Sequence, residues 1–238
     1  MKECVFHFKK FDCSHGRSSM KIGVDAVLLG AWADVSGVYR ILDVGTGCGV
    51  IALMVAQRNK DAEIIAIDID GPSVEEAKTN FAKSPWSSRL RAAVEDYSTL
   101  HISPVDLIIS NPPYFKSGIE CPDSARLVAR HDASLSPLSL LECGRSLLTE
   151  RGRVAMVIPA DREDEVVSAA VSYGYVLKRC CRVRGHAEAP VKRLLLEFSK
   201  SDNGSDNIGG CESLVLEVEP NHPTEEHRLL CKDFYLKF

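Results

Sequence analysis

From Arg40 onward, short apolar runs alternate with longer segments of helical spacing. Ile41–Val44 is an apolar run that ends in a glycine-rich turn, and a helix is expected from Val50 to about Arg58. A second strand is expected over Ile64–Ile67, and Gly71-Pro72 then opens a helix to about Lys83, with proline suited to the first turn. Leu90–Val94 and Val105–Ile109 read as a third and a fourth strand. After a long polar segment, Ser136-Pro137 caps a helix expected to stop at Gly152. Val154–Ile158 is a fifth strand, and Asp161–Tyr173 is a helix ended by Gly174. Tyr175–Val183 and Arg193–Phe198 complete seven strands, meeting each other across a short connection. The linker SDNGSDNIGG at 201–210 reads as a surface loop, followed by a last strand and a short terminal helix. Strands separated by helices in this order make an α/β fold, a doubly wound and mostly parallel seven-stranded sheet. Ligands of such sheets bind beyond the carboxyl ends of the strands, where the strand order reverses.

Composition sharpens this picture without changing it. A chain of 238 residues fits one α/β domain whose core needs neither disulfide nor metal. The nine cysteines are scattered and no two have CxxC spacing, so reduced, buried thiols are expected and no metal site. The start, MKECVFHFKK, is charged where a signal peptide is apolar, and the apolar run Ala26–Ala33 is too short to span a bilayer. A cytoplasmic protein without a membrane partner is the expectation. The net charge of −4 argues against a general nucleic-acid binder, but the charge is unevenly spread. Residues 1–24 hold five Lys/Arg against two acids and 174–198 hold six against two, whereas 199–238 hold eight acids against four Lys/Arg. Basic stretches of this kind are either solvated surface or a phosphate-binding face on an acidic protein.

The chemistry gathers at the strand ends. The first strand runs into Asp43-Val-Gly45-Thr-Gly47-Cys-Gly49, and alternate glycines let a backbone turn tightly and approach a ligand without a Cβ. The acid so close to the turn repels a pyrophosphate and suits a ligand with an amino group. Asp68 ends the second strand, where a carboxylate accepts both hydroxyls of a ribose. Asp70 reads instead as the cap of the helix that follows. Asp96, after the third strand, is placed to accept from an adenine amine. The fourth strand ends in SNPPYF at 110–115. Two prolines forbid helix and sheet and make a stiff elbow that holds Asn111 and Tyr114.

Asp43, GxGxG, Asp68, Asp96 and NPPY follow the motif order of the class I S-adenosylmethionine-dependent methyltransferases, whose fold is Rossmann-like. NPPY resembles the motif of those that methylate a planar amine. In that reading the Asn111 side-chain oxygen and the Pro112 carbonyl accept from the amine, Pro113 stiffens the elbow, and Tyr114 gives the base a face to stack on. FHFKKF at 6–11, MKIGVDAVLLGAWA at 20–33, IALMVAQR at 51–58, SPW at 84–86, ARH at 129–131 and the FYLKF end recur in order in one family. Over essentially its whole length the chain resembles the bacterial tRNA(Val) adenine-N6 methyltransferases, which modify the adenine following the anticodon. Val24 stands where that family has Thr, and Asp68 where Glu is common.

The resemblance implies S-adenosylmethionine as cofactor, tRNA as partner through its anticodon loop, and no obligate protein partner. It implies a single domain, with 1–39 a substrate-side extension, 40–200 the cofactor-binding core and 201–238 a C-terminal strand and helix. Lys21 and Asp25 either line the cofactor pocket or form an internal ion pair. Lys9, Lys10, Arg17, Arg126, Arg130, Lys178, Arg179, Arg182 and Arg184 are the candidate RNA contacts. His131 is not expected to act as a base, and Trp32 and Trp86 are expected to pack. Competing readings are a guanine-N2 methyltransferase of ribosomal RNA, a release-factor glutamine methyltransferase, and a cofactor-binding RNA chaperone without catalysis.

Overall fold

The computed structural model describes residues 4–113, 135–200 and 210–238, and the alternation from Arg40 forms its central sheet. A hairpin of β1 (Val5–His7) and β2 (Asp12–Ser14) leads to α1 (Val24–Trp32). The alternating units are β3 (Arg40–Val44), α2 (Val50–Arg58), β4 (Glu63–Asp68), α3 (Gly71–Lys83), β5 (Leu90–Val94) and β6 (Val105–Ser110). Further along come α4 (Pro137–Leu147), β7 (Leu148–Pro159), α5 (Glu163–Ser172), β8 (Tyr175–Arg184), β9 (Arg193–Lys200) and β10 (Cys211–Val215). A short ribbon, β11 (Glu217–Glu219) with β12 (His222–Pro223), precedes α6 (Glu225–Cys231).

The strand order across the sheet is β10-β8-β9-β7-β6-β3-β4-β5. Only β9 runs against its neighbours; the remaining pairs are parallel. The chain winds outward from β3 to β5, then returns to lay β6 on the other flank of β3. The order therefore reverses between β3 and β6, and their carboxyl ends open the crevice in which doubly wound sheets bind ligands. One apolar layer packs α1, α2 and Phe81 of α3 on the sheet, joined by Phe8, Phe11, Cys231 and Phe234 from the two chain ends. The other packs Leu140 and Leu141 of α4 and Val166 and Ala170 of α5. Trp32 is buried and Trp86 stands edge-on to Phe11, both packing as expected.

Three features depart from the hydrophobic pattern. First, α4 ends at Leu147, five residues short of Gly152: Leu148 is already extended, with φ −89° and ψ 144°. The register slips there, Val105 facing Leu148 and Leu107 facing Arg153, so β7 carries a bulge. Gly152 belongs to that bulge, since a Cβ on it would lie 2.7 Å from the Leu148 side chain. Second, the sheet has eight strands rather than seven, because Cys211–Val215 pairs parallel with Cys180–Arg184 and covers what would be an open edge. Third, the first 39 residues hold a hairpin and a helix. In α1 seven successive residues, Ala26–Trp32, are buried, so no polar stripe marks it as a helix in the sequence. The expected surface loop lies outside the described residues except for Gly210.

Beneath the glycine turn sits the carboxylate of Asp43, 0% exposed. Gly49 caps α2 without a side chain to offer. Asp43 Oδ2 takes that role from the end of β3, accepting from Thr46 Oγ1 at 2.6 Å and from the Ala52 amide at 3.2 Å. Burial pushes the Asp43 carboxyl up to about 7, against the opposing pull of those two donors and with a smaller push from Asp68. The native state thus holds a proton between pH 4 and 7 that the unfolded chain has released, so stability falls as pH rises through that window. Asp43→Asn keeps an acceptor oxygen and removes the charge. Its stability should exceed wild type by roughly 2–4 kcal/mol at pH 8 and by little at pH 4.5. Thermal melts of both proteins across this range test it; parallel pH curves would show that Asp43 does not titrate there.

Candidate functional site

The site is assembled by the carboxyl ends of β3, β4, β5 and β6. Gly45, Gly47 and Gly49 all adopt left-handed backbone, with φ of +67°, +55° and +85°. The three glycines do different things. A Cβ on Gly45 would meet Leu135 at 2.7 Å and one on Gly49 would meet the Phe81 ring at 2.5 Å, so both permit close packing. None of the described residues lies within 4 Å of a Cβ on Gly47, where the turn presents bare backbone.

Asp68 closes on this turn. Its Oδ2 accepts from the Gly47 amide at 2.9 Å and its Oδ1 from the Asp70 amide at 2.9 Å. Burial raises its carboxyl above the usual range, although those amides pull the other way. Each oxygen retains a lone pair for a further donor, as a ribose-binding carboxylate needs. Asp70 is the helix cap, accepting from the Ser73 amide at 3.0 Å. Asp96 is exposed and caps the turn Tyr97–Thr99, its Oδ1 accepting from the Ser98 amide at 2.8 Å. Tyr97 anchors that turn by donating to the Leu140 carbonyl at 2.9 Å.

On the other side of β3 the elbow begins. Ser110, fully buried, donates to the Val44 carbonyl at 2.7 Å and so ties the end of β6 to the end of β3. Asn111 and Pro113 are half-buried and Pro112 is buried. Tyr114, Arg126, Arg130 and His131 lie outside the described residues. Nothing in the sequence around Ser110, Tyr97 and Thr46 marks their part in the site. Ser and Thr signal little by themselves, and these three matter only through partners that the fold supplies.

An open-faced Gly47, the Asp68 carboxylate beside it and the buried Asp43 beneath make a cradle fitted to the nucleoside and amino group of S-adenosylmethionine. Asp43 Oδ1 is buried and meets no hydrogen-bond donor among the described residues. Oδ2 serves the turn itself. Among the described residues no three His, Cys, Asp or Glu side chains gather as a metal site, and no helix is long and apolar enough to cross a membrane.

The N-terminal candidates divide. Lys21 donates to the His15 carbonyl at 2.6 Å and the Gly16 carbonyl at 3.1 Å, and Asp25 pairs with Arg193 at 2.8 Å. Lys9 donates to the Phe238 carbonyl at 2.8 Å and serves the packing of the chain ends. Lys10 and Arg17 are exposed. The basic run on β8 does not form one face. Arg179 stacks on Trp32 at 4.1 Å and contacts the buried Glu197 and the exposed Glu212. Arg182 forms a two-pronged pair with Glu163. Arg184 donates to the Ala189 carbonyl at 3.3 Å, and Lys178 is half-buried.

The methyltransferase small domain family matches residues 26–165. A protein of Bacteroides thetaiotaomicron described as tRNA1(Val) (adenine(37)-N6)-methyltransferase is 41% identical over 99% of both chains. One of Parabacteroides distasonis with the same description is 41% identical over the full length of both, and one of Tolumonas auensis 39% identical over 98% of this chain and 97% of its own. Among solved structures, a protein of Agrobacterium tumefaciens described as a predicted O-methyltransferase superposes with a TM-score of 0.66 at 19% identity, covering 88% of this chain and 96% of that one. A ribosomal protein L11 methylase of Lactobacillus delbrueckii gives 0.54 at 18% identity, over 74% and 77%. At such identities these structures speak for the fold alone, that of the methyltransferases. Full-length identity near 40% says more: this chain belongs to the tRNA1(Val) (adenine(37)-N6)-methyltransferase family.

Proposed function

We propose that this protein transfers a methyl group from S-adenosylmethionine to the exocyclic N6 amine of the adenine following the anticodon in a tRNA. The observation that carries the reading is the junction of β3 and β6, where the Ser110–Val44 hydrogen bond sets the Asn111-Pro112-Pro113 elbow beside the glycine turn. The bound cofactor supplies an electrophilic methyl on a sulfonium. Gly47 and Asp68 hold its nucleoside, Asp96 accepts from its adenine, and Gly45, Gly49 and Asp43 keep the turn in shape.

The exocyclic amine of adenine is a poor nucleophile because its lone pair is delocalised into the ring. Asn111 Oδ1 and the Pro112 carbonyl act as paired acceptors that draw the NH₂ group out of the ring plane and aim its lone pair. Two prolines hold both acceptors still before the base arrives, so little reorganisation is left for the reaction itself. Tyr114 provides the stacking face for a base taken out of its helix. No strong base is needed, since the methylated ammonium sheds its proton readily.

Binding to RNA is assigned to residues beyond this pocket. Arg126 and Arg130, which follow the elbow, and Lys10, Arg17, Lys178 and Arg184 are the proposed phosphate contacts. Arg179 and Arg182, already neutralised by carboxylates, are assigned a smaller share and Lys9 none.

The test sets purified whole tRNA, its anticodon stem-loop, a ribosomal RNA fragment and a release-factor protein side by side, with nucleoside and peptide mass spectrometry as the readout. N6-methyladenine in the tRNA alone, or in both tRNA and stem-loop, is expected. Methylguanine in the ribosomal fragment, or methylglutamine without RNA modification, would overturn the reading. Asn111→Ala should slow methylation roughly 10²–10³-fold, the loss typical of one pre-organised polar group, with cofactor affinity nearly unchanged. Calorimetry should find S-adenosylmethionine bound more weakly by Gly47→Val and by Asp68→Ala; wild-type affinity in both would move the cofactor elsewhere. Affinity for tRNA should fall with salt by roughly one log unit per log unit of salt for each phosphate engaged. The shorter stem-loop should show the shallower slope.

A further inference from the structure

Residues 14–19 run along one face of α3, and their attachment is unusual in kind. Glu76, only 5% exposed, turns its carboxylate toward three successive backbone amides. Oε1 accepts from Gly16 at 2.8 Å, both oxygens from Arg17 at 3.0 and 3.1 Å, and Oε2 from Ser18 at 2.7 Å. Asn80, 1% exposed, accepts from the Ser14 amide at 2.9 Å through Oδ1. Its Nδ2 donates to the Ser14 and Cys48 carbonyls, both at 2.8 Å. From the outer side, Lys21 holds the His15 and Gly16 carbonyls.

The two ends of this strap reach the two halves of the cofactor cradle. At one end, Asn80 joins Ser14 to Cys48, which lies inside the glycine turn, and Cys13 Sγ sits 3.7 Å from Cys48 Sγ. At the other, the Ser19 amide donates to Ser73 Oγ at 3.3 Å, and Ser73 donates in turn to Asp70. The Asp70 amide meets Asp68, and Asp68 returns to the Gly47 amide. The hydrogen bonds close a ring from the glycine turn through the strap and the first turn of α3 back to the glycine turn.

A carboxylate and an amide buried on one helix face contribute little net stability compared with apolar residues of the same size. Satisfied in full, they specify one backbone arrangement. We infer that Glu76 and Asn80 are positioning residues for cofactor binding. Acting through residues 14–19, they set the separation of the glycine turn from Asp68 and make the N-terminal segment a wall of the cofactor pocket rather than part of the RNA-binding face. The inference rests on the cofactor site assigned above and extends it to a segment that touches neither Gly47 nor Asp68 directly.

Glu76→Gln keeps the shape and leaves one acceptor oxygen for three amides; Asn80→Ala removes the bridge to Cys48. Each is measured for S-adenosylmethionine affinity by calorimetry, tRNA affinity by fluorescence anisotropy, and amide exchange of residues 14–19. Both variants should bind the cofactor at least tenfold more weakly, bind tRNA within twofold of wild type, and exchange the strap amides faster. In wild type, S-adenosylhomocysteine should slow exchange of those same amides. Cofactor affinity within twofold of wild type despite faster exchange would leave the strap a purely structural element and overturn the inference. Weakened tRNA binding with cofactor affinity unchanged would assign the strap to the RNA face and overturn it equally. Should either buried substitution prevent folding, Lys21→Ala loosens the same strap at the His15 and Gly16 carbonyls from an exposed position and is read against the same outcomes. Asp68→Ala is the control: if it binds S-adenosylmethionine as wild type does, the cofactor site itself is misplaced.

Discussion

A buried carboxyl beneath a left-handed turn is the constraint on which the site depends. The glycines of such a turn have no side chains to hold it, and glycine loses the most conformational freedom on folding. Asp43 supplies the missing rigidity by accepting from Thr46 in the turn and from Ala52 in the first turn of α2. The Thr46 amide adds a link to the Ile67 carbonyl of β4, and Gly47 a link to Asp68. The turn is therefore held on three sides while its open side, at Gly47, remains bare. The cost is a carboxylate in the core that burial pushes up to about 7, a stability sacrificed for a fixed shape at the mouth of the sheet.

Much of this was legible in the sequence because the core units obey local rules. The helix Val50–Arg58 starts where the glycine turn stops, and Gly71-Pro72 begins α3 with Asp70 capping it, as local sequence alone implies. Parallel strands buried on both faces announce themselves as continuous apolar runs, which is why β3, β4 and β6 were found to within a residue or two. What failed was decided by distant partners. Gly152 reads as a helix stop, yet α4 ends at Leu147 because the following residues must register against Val105 and Leu107. β10 has an ordinary sequence and becomes a strand of the main sheet because β8 leaves an edge for it.

The basic runs show the same limit in electrostatic terms. Along the sequence, Lys178, Arg179, Arg182 and Arg184 look like a patch. In the fold, Arg179 faces Trp32 of α1 while Arg182 faces Glu163 of α5, on opposite faces of the sheet. Arg179 is part of a network that also holds Arg153, Asp34 and the buried Glu197, whose carboxyl burial raises and the two arginines pull back. Charge counted along a strand says little about charge on a surface, because side chains two apart share a face and neighbours do not. The cap role of Asp70 was legible because its partner lies only three residues further on.

Two carboxyls at the cradle are shifted upward by burial, Asp43 to about 7 and Asp68 in the same direction; Asp68 adds to the push on Asp43, and Asp70 to that on Asp68. Such an arrangement is poorly matched to an anionic ligand, whose charge would add to the repulsion. It is well matched to a cationic one, which relieves the repulsion and favours ionisation of both acids. S-adenosylmethionine carries a sulfonium and an ammonium against a single carboxylate. The preference therefore lies in the electrostatics of the cradle, before any particular contact is drawn. On the far side of β3, the described residues of the elbow, Asn111 to Pro113, carry no charged side chain. One strand, β3, thus separates the carboxyls around the glycine turn from the uncharged start of the elbow. The Ser110–Val44 bond keeps the two at a fixed distance.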